Sequence, residues 1–438
     1  MNEKPEALDR IIDQLYHSYL KAVPYFAPDS PDALRRSPEL LSPWLGAYSG
    51  EGNIVVTGSK GKGSLARMLA ALLGTMGRTG LFISPHVTDF LERIAINGEQ
   101  ISKASFIRYA KTALEDAAKV ERGLPQGAYV SPVGILALIA MRYFTDQQTV
   151  WRVLECGKGA KYDDVNRIPH RYAVIGTVFL EHTRELGASI EQIAADKAHV
   201  ITKETRCVYV MEQEPAVSAV ISEHARQMGV EAKWYGNDFS ARGIRQDVTG
   251  LTADLWSDGR CYPRVHLPLL GSYQAKHAAL ALACFTDIAH SAPIPPEWRK
   301  ALGAVRIPGR MEIVSEEPFV LLDSCIHEKS AKEVRRLLEE LGIGRVVTVL
   351  CLPDDKDFIG VAGVLRGVSE RVILTKIRHP HYPMVADQRR VLEQAGIGCE
   401  FETDFSIALH SAKASGLPIV LLTANTFVNY AKEAWRAI

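Results

Sequence analysis

The chain has 438 residues, which is too long for one ordinary hydrophobic core and suits two or three domains. Its 51 lysines and arginines balance 51 aspartates and glutamates, so no net field draws it to nucleic acid or to an anionic membrane surface. With 47% hydrophobic and 23% charged residues, the composition excludes a mainly disordered protein.

The N-terminal segment and the cysteines indicate the compartment. The first residues carry charges where an export signal needs an apolar run. The longest apolar stretch, residues 129–144, contains Pro132 and Arg142 and is shorter than the roughly 20 residues that span a bilayer, so we interpret it as a buried helix. The seven cysteines are scattered, without a CxxC pair, which is typical of free thiols in a reducing compartment. We therefore expect a cytoplasmic protein without membrane or nucleic-acid partners.

Along the first part of the chain, apolar runs with strand character alternate with amphipathic stretches. Helical periodicity is clear at residues 63–76 and 190–201, where apolar side chains recur every three or four positions. Such alternation predicts an α/β fold with a parallel sheet. The predicted strands are residues 54–57, 79–83, 151–155, 172–179 and 207–211.

Farther along, residues 234–268 form short alternating stretches that predict a small antiparallel insert, followed by a helix that begins near Gly271. A break near residue 290 and the proline and glycine of residues 306–310 are typical of a linker. We place a domain boundary there, which gives domains at residues 1–305 and 306–438. In the second domain we predict strands at 319–322, 346–350, 372–375 and 419–422, and helices at 329–341 and 388–395.

A glycine- and lysine-rich loop follows the first predicted strand and leads into a predicted helix. Glycines allow a tight turn that points successive N–H groups at phosphate oxygens, and the helix N-terminus adds its positive end. We expect Lys62 to neutralise the β- and γ-phosphates and the Ser64 hydroxyl to hold magnesium. A flexible turn is the alternative, because the loop is shorter than the usual GxxxxGK[ST] spacing. The predicted ATP-binding residues of the loop are Gly58, Ser59, Lys60, Gly61, Lys62, Gly63 and Ser64.

Polar side chains follow two other predicted strands. Glu155 ends the strand at residues 151–155, and His182 follows the apolar run that ends at Leu180. Because the carboxyl ends of parallel strands line the ligand crevice, we expect both side chains to face the phosphate loop. A carboxylate and a neutral imidazole there would coordinate magnesium with Ser64 and Ser84. For each residue taken alone, an exposed or core-satisfied polar side chain is the alternative.

Phosphoryl transfer depends mainly on positioning and charge neutralisation, so it requires few side chains. Arg310, just after the linker glycine, is well placed to reach the γ-phosphate when the two domains close. An ordinary surface salt bridge is its alternative role. Domain closure would also exclude water from a hydrolysable acyl phosphate. These features predict an enzyme that activates a carboxylate with ATP and joins it to an amine.

An ordered series of motifs extends over nearly the whole chain. The motifs are VTGSKGKGS at 56–64, SPHV at 84–87, FLERIAINGE at 90–99, ECGKGAKYDDVN at 155–166, LEHT at 180–183, ADKA at 195–198, GSYQAKHAA at 271–279, IPGR at 307–310 and DKD at 355–357. This series resembles the folylpolyglutamate and dihydrofolate synthases of the Mur ligase superfamily. The resemblance implies a Mur-ligase-like P-loop ATPase domain with a mostly parallel sheet, followed by a smaller Rossmann-like α/β domain.

The resemblance also implies roles for individual residues in catalysis and metal binding. Magnesium ligands would be Ser64, Ser84, Glu155 and His182. Lys197 would be carbamylated, so that its added negative charge helps to position the metal. The catalytic candidates are Lys62, Lys197, Arg310 and His182.

For the substrates, the resemblance implies ATP and Mg²⁺ as cofactors, a folate-type carboxylate as the acid and L-glutamate as the amine. His277 would occupy an adenine-contacting position, Arg310 would bind phosphate, and Asp323 would touch the nucleotide. We expect a monomer or a homodimer that acts on small molecules. The substrate-binding candidates are His86, Phe90, Arg93, His327 and Asn425.

The chain departs from the family pattern where the incoming amino acid and the interdomain contacts are expected. The family's D-G-A-H-N-P becomes residues 323–328, with Ile326 at the histidine position, and its C-terminal T-G-S becomes residues 423–425. Lys161 replaces an arginine and cannot reproduce the planar bidentate grip of that residue on a carboxylate. Three alternatives to a folate ligase therefore stay open: the same chemistry on another acid and amine, a nucleotide-binding protein without activity, and a small-molecule kinase.

Overall fold

The computed structural model of the chain describes residues 7–26, 30–289, 294–378, 383–384 and 386–438. The chain divides into two compact units. Unit 1 comprises the residues up to Arg242, Asp254–Val265 and Lys276–Gly303, and unit 2 comprises Gly243–Ala253, His266–Ala275 and Ala304–Ile438. The predicted break near residue 290 lies outside the described residues, and the domain boundary between residues 305 and 306 stays a prediction.

An eight-stranded sheet forms the centre of unit 1. Its strands are β1 (Asn53–Thr57), β2 (Thr79–Phe82), β3 (Ile94–Ile96), β4 (Glu99–Gln100), β5 (Trp151–Glu155), β6 (Tyr172–Ile175), β7 (Cys207–Val210) and β8 (Glu231–Trp234). Their order is β4-β3-β2-β5-β1-β6-β7-β8. Only the β2–β3 and β3–β4 pairs are antiparallel, so the predicted mostly parallel sheet is confirmed. All five residues of β1 are buried between β5 and β6.

Helices pack against this sheet through apolar side chains. The stretch predicted as a buried helix forms α6, which begins after Ser131, whose hydroxyl accepts a hydrogen bond from the Gly134 N–H at 3.2 Å. Pro132 opens the helix at a position where its missing N–H costs nothing. The helices are α1 (Ala7–Ala22), α2 (Asp32–Arg35), α3 (Ser42–Leu45), α4 (Lys62–Leu73), α5 (Lys103–Glu121), α6 (Pro132–Asp146), α7 (Ile190–Ala198), α8 (Pro215–Met228), α9 (Ser272–Ile288) and α10 (Trp298–Gly303).

The predicted insert is a three-stranded sheet of β9 (Phe239–Asp247), β10 (Gly250–Ser257) and β11 (Arg260–Leu267), in the order β11-β10-β9. Only two residues join each strand to the next, and connections of this length permit antiparallel pairing alone. Along β10, buried and partly exposed residues alternate, as expected for a strand with one face against a core. The prediction of a small antiparallel insert is therefore confirmed.

Unit 2 contains a six-stranded sheet in which only β12 is antiparallel to its neighbour. Its order is β12-β13-β17-β14-β15-β16, formed by β12 (Glu312–Glu316), β13 (Phe319–Asp323), β14 (Val346–Cys351), β15 (Ser369–Thr375), β16 (Glu400–Glu402) and β17 (Ile419–Thr423). Its helices are α11 (Glu328–Glu340), α12 (Phe358–Leu365), α13 (Gln388–Gln394), α14 (Phe405–Lys413) and α15 (Val428–Arg436). The predicted second α/β fold is thus present.

All seven cysteines are free thiols in the structure, as the sequence predicts. Burial raises the pKa of the Cys156 thiol well above its ordinary value, so this group beside the site is unreactive. Within the described ranges, no helix combines the length and the apolar character that crossing a bilayer requires.

Candidate active site

The segment between β1 and α4 forms a tight loop at the centre of the large sheet. Gly58 and Gly61 have φ angles of 142° and 85°, a region that glycine adopts without strain. A Cβ atom at Gly58 would lie 2.9 Å from the Cα atom of Gly176, so the backbones of the two residues touch. The Ser59 N–H donates a hydrogen bond to the Thr177 carbonyl at 2.9 Å. The loop is therefore fixed against the chain that follows β6.

Strand β6 ends at Ile175 and not at residue 179, where the sequence predicted its end. Beyond it, the Gly176 N–H still donates to the Thr57 carbonyl of β1 at 2.8 Å, whereas the residues that follow bond to the phosphate loop and to Gln213. The Phe179 N–H donates to the Ser59 hydroxyl at 3.1 Å, and the amide of Gln213 donates to the Gly176 carbonyl at 2.9 Å. These partners satisfy backbone groups that a longer strand would have paired within the sheet.

Two lysine side chains converge on the carbonyl of Gly58. The Nζ atoms of Lys62 and Lys197 each donate to this oxygen at 3.1 Å. Only 1% of the Lys197 side chain is exposed, and its Nζ also pairs with Glu181 Oε1 at 3.0 Å. Burial lowers the pKa of Lys197, and the nearby Lys62 charge lowers it further, whereas Glu181 raises it. The structure thus brings together two of the predicted catalytic residues.

Ser64 and Glu155 are both buried, each with 5% exposure. Ser64 lies in the first turn of α4, and Glu155 ends β5, the neighbour of β1. The backbone N–H of Ser84 donates to Glu155 Oε2 at 3.2 Å, and a Cβ atom at Gly63 would lie 3.4 Å from the same oxygen. The Glu155 carboxylate therefore lies between the start of α4 and residue 84, where three of the four predicted metal ligands were expected to meet.

His182, the fourth predicted metal ligand, is more open, with 48% of its side chain exposed. Its φ angle of 48° is unusual for a residue other than glycine, and its Nδ1 atom lies 3.9 Å from Glu185 Oε2. Burial of part of the ring lowers the pKa of His182, so the imidazole is neutral at pH 7 and keeps a lone pair for a ligand.

The donor atoms fit magnesium. Among the residues that the structure describes, no three histidine, cysteine, aspartate or glutamate side chains converge as a ready-made metal cage. Mg²⁺ is commonly held by one or two carboxylates and completes its octahedral shell with water and substrate phosphate oxygens. The buried Glu155 carboxylate, which lies at the start of the helix that carries Ser64, fits this kind of magnesium site better than a site closed by protein ligands alone.

Three predicted substrate-binding residues form a cluster after β2. The Nε atom of Arg93 donates to His86 Nδ1 at 3.0 Å, and its guanidinium carbon lies 5.0 Å from the centroid of the Phe90 ring. Burial, and to a lesser degree the Arg93 charge, lowers the pKa of His86 to about 4. His86 is therefore a neutral acceptor, and Arg93 is held with its charge over an aromatic face.

In unit 2, Arg310 and Asp323 are held by the turn that precedes β12. Arg310 Nη1 donates to the carbonyl of Ser324 at 3.3 Å and bonds to the hydroxyl of the same residue. Asp323 Oδ2 accepts from the Met311 N–H at 2.8 Å. Both predicted nucleotide contacts thus lie at the end of β13, in the same small region of the unit.

His327 and Asn425 differ in how they are bonded. His327 caps α11, since its Nδ1 atom accepts from the Ser330 N–H at 3.2 Å. The Oδ1 atom of Asn425, just after β17, is buried and has no hydrogen-bond partner among the residues that the structure describes. The sequence predicted substrate binding for both residues, and that role stays a prediction.

Similarity to known proteins identifies the family. Residues 56–285 match the Mur ligase middle domain family. The chain is 30% identical over 361 residues to the dihydrofolate synthase/folylpolyglutamate synthase of Mycobacterium tuberculosis, covering 78% of this chain and 73% of that one. The chain belongs to the folylpolyglutamate synthase family. Members of this family are ATP-dependent ligases, and so is this chain.

Two further similarities concern other members of the folylpolyglutamate synthase family. A probable bifunctional folylpolyglutamate synthase/dihydropteroate synthase of Halobacterium salinarum is 29% identical over 318 residues, which cover 71% of this chain but 38% of that longer protein. A crystal structure of Mycobacterium tuberculosis folylpolyglutamate synthase complexed with ADP and AMPPCP superimposes with a TM-score of 0.83. It is 24% identical and covers 97% of this chain and 98% of its own. The Mur ligase fold predicted from the sequence is confirmed.

This folylpolyglutamate synthase family member also has a cavity that sequence reasoning missed. The cavity has a volume of about 290 Å³, and Ser84 is part of its wall. Arg36 Nη1 lies 3.6 Å from Asp32 Oδ2, and Lys158 Nζ donates to Asp32 Oδ1 at 2.9 Å, so these three charged lining residues are paired with one another. The one sequence feature that could have indicated this cavity is Lys158, a charged residue inside the glycine-containing turn directly after Glu155. Its partner Asp32 lies far away in sequence, so no local pattern connects the two.

Proposed function

We propose that this ligase uses ATP to convert a folate-type carboxylate into an acyl phosphate and then joins the acyl group to L-glutamate. The observation that carries the proposal is the phosphate loop between β1 and α4, which has Lys62 at one side and the buried Glu155 at the other. The relatives named dihydrofolate synthase/folylpolyglutamate synthase support the choice of acid and amino acid.

In the first step of the proposed reaction, an oxygen of the acid attacks the γ-phosphorus of ATP, and the bond to the β-phosphate oxygen breaks to release ADP. In the second step, the amine nitrogen attacks the acyl carbon, inorganic phosphate leaves, and the nitrogen loses a proton to solvent. Lys62 would exchange the Gly58 carbonyl for a phosphate oxygen and neutralise charge on the group in transfer. The N–H groups of Gly58, Lys60, Gly61 and Gly63 would bind the remaining phosphate oxygens, while the Ser59 N–H keeps its hydrogen bond to the Thr177 carbonyl.

The proposed magnesium ligands are Ser64, Ser84, Glu155 and His182. A bound Mg²⁺ ion would supply positive charge to the phosphates during transfer. The hydrogen bond from the Ser84 N–H holds the Glu155 carboxylate in one orientation before any ligand arrives. A carbamylated Lys197 stays part of the proposal, as an anion that helps to position the metal.

The remaining assignments follow the family resemblance. His277 is proposed near the nucleotide, and Arg310 and Asp323 are proposed as phosphate and nucleotide contacts. The cytoplasmic location and the monomeric or homodimeric state also stay predictions. The proposed substrate contacts are His86, Phe90, Arg93, His327 and Asn425.

The decisive experiment incubates the purified protein with ATP, Mg²⁺, L-glutamate and a panel of pteroates and folates. We expect sustained ADP release that requires the acid and an attacking amine such as glutamate, together with a product heavier by one glutamyl group in mass spectrometry. Without glutamate, hydroxylamine should trap the acyl phosphate as a hydroxamate. If no folate or pteroate supports ADP release, the proposal that the acid is a folate-type carboxylate is wrong.

A second candidate keeps the chemistry and changes the substrates. It is favoured by His327, whose ring is engaged in capping α11, and by the buried Asn425 oxygen, which lacks a hydrogen-bond partner in the described part of the chain. A screen of other carboxylates and amines with mass-resolved products tests it. ATP binding without any amide product would instead indicate a nucleotide-binding protein without ligase activity, and a stable phosphorylated product that hydroxylamine cannot trap would indicate a kinase.

A further inference from the structure

Helix α9 places a buried histidine against the phosphate loop. Gly61 is the residue just before α4 and has a φ angle of 85°. A Cβ atom built on Gly61 would overlap the Cε1 atom of His277 and lie 2.5 Å from its Nε2 atom. The imidazole therefore occupies the space that any side chain at position 61 would need, and the ring and the loop backbone are in direct contact.

The ring is held from both ends of its helix. Only 6% of His277 is exposed. The neighbouring Lys276 pairs with Glu212 at 2.6 Å, and near the end of α9 Asp287 accepts from the Tyr209 hydroxyl at 2.6 Å. Because these contacts all lie within unit 1, the helix cannot move the ring away from the loop without breaking them.

The contact acts through shape and not through charge. Burial lowers the pKa of His277 to about 3, with smaller contributions in the same direction from Lys276 and Lys60, so the ring is neutral at physiological pH. A neutral ring adds no positive charge that would attract phosphate. What it does restrict is the conformation of Gly61, whose carbonyl accepts the Leu65 N–H at 2.9 Å and so begins the hydrogen bonds of α4.

We propose that His277 is a positioning residue that fixes the conformation of the phosphate loop at Gly61 and thereby sets the affinity for nucleotide phosphates. Hydrogen bonds at Gly58 and Ser59 hold the start of the loop, but without the ring the Gly61 end would sample more conformations, and the entropy lost on binding would weaken affinity. The proposal rests on the proposed nucleotide site, but it assigns His277 a role through the loop, whereas the family resemblance assigns it a contact with the adenine.

The test measures binding of AMPPCP with Mg²⁺ by calorimetry to the full-length chain and its variants. In His277→Ala, the Kd for AMPPCP should rise about tenfold, because a misplaced loop loses part of its phosphate contacts. His277→Asn, which retains a smaller planar side chain, should fall between this variant and the wild type. Cys284→Ala is the matched control, since it also removes buried atoms from α9 but far along the helix from the loop, and it should leave the Kd unchanged.

A double-mutant cycle separates the loop contact from a general structural role. Gly61→Ala should abolish measurable AMPPCP binding, and Gly61→Ala combined with His277→Ala should recover part of it, because the overlap is relieved while the backbone strain remains. Equal damage from Gly61→Ala in both backgrounds would overturn the proposal. So would a His277→Ala protein that melts earlier but binds AMPPCP as the wild type does. If the wild type itself fails to bind AMPPCP, the proposed nucleotide site is wrong.

Discussion

The phosphate-loop region of unit 1 and the end of β17 in unit 2 both lie where parallel strands finish. They differ in whether their buried polar groups have hydrogen-bond partners. In unit 1, the buried Lys197 and Glu155 each have hydrogen-bond partners within the unit. In unit 2, the hydroxyl of Thr423 and the Oδ1 atom of Asn425 are buried and have no hydrogen-bond partner within the described ranges. Leaving such a group unpaired costs about 1–3 kcal/mol. The phosphate-loop region is therefore held in place by hydrogen bonds within the unit, whereas the end of β17 contains buried polar atoms that the described residues leave unpaired.

The largest effect is expected from Lys62→Ala, which removes the loop ammonium while leaving the loop backbone intact. Turnover should fall about a thousandfold, because charge neutralisation is the main contribution to phosphoryl transfer. Lys60→Ala in the same loop is the matched control and should fall far less. ADP release under saturating substrates measures both. Near wild-type turnover in Lys62→Ala would show that the Lys62 ammonium does not contribute to phosphoryl transfer.

Glu155→Gln tests the carboxylate while keeping its acceptor for the Ser84 N–H. We expect a loss of about a hundredfold in turnover and a higher Mg²⁺ concentration for half-maximal activity, because an amide oxygen binds Mg²⁺ weakly. The fold should be retained, which thermal unfolding checks. An unchanged Mg²⁺ requirement would mean that Glu155 is not a ligand.

Lys197→Ala should lower turnover about tenfold, because it leaves Glu181 without its ion-pair partner and the Gly58 carbonyl with one donor fewer. Chemical rescue of this variant distinguishes a carbamylated Lys197 from an unmodified one. Partial recovery with chloride would support a carbamylated Lys197, since a small anion replaces its negative charge. Recovery with methylammonium and not with chloride would instead support the unmodified ammonium that pairs with Glu181. Wild-type turnover in the variant would exclude Lys197 from the mechanism.

The pH dependence of stability tests the cluster after β2. The pKa of His86 falls from 6.5 to about 4 on folding, so between these values the unfolded chain binds a proton that the folded chain does not. The free energy of unfolding should therefore decrease as the pH falls below 6.5, by up to about 1.4 kcal/mol per pH unit from this group. His86→Gln keeps an acceptor for Arg93 and should flatten the slope in urea unfolding. An identical slope in both proteins would contradict the assignment.

The smallest effect is expected in unit 2, from the cap of α11. His327→Ala should cost about 1 kcal/mol of stability by removing the side-chain acceptor of the Ser330 N–H, which then keeps only the residue 327 carbonyl at 3.0 Å, whereas His327→Asn should restore most of it, since asparagine is a good N-cap residue. Thermal unfolding measures the difference. If either variant changes the KM for the amine without changing stability, His327 binds substrate as the sequence predicted.

Local patterns made much of the fold predictable. The apolar runs and glycine punctuation gave strand positions close to those of β1, β2, β5 and β7, because period and turn chemistry act over a few residues. The sequence-based prediction extended strand β6 beyond its end at Ile175, because Val178 and Phe179 are apolar although their N–H groups bond outside the sheet. The cavity beside Ser84 was missed because its charged walls come from segments that no local pattern connects.

The sequence by itself determined the parallel α/β architecture, the phosphate loop and the positions of Lys62, Ser64 and Glu155, because each depends on short-range periodicity and on glycine at a tight turn. Only the tertiary structure decided which distant residues support that loop. Lys197 meets the Gly58 carbonyl from 139 positions away, and His277 meets Gly61 from a helix formed much later in the chain. Such contacts follow from the order of strands in the sheet and the packing of helices on it, which residue spacing does not encode.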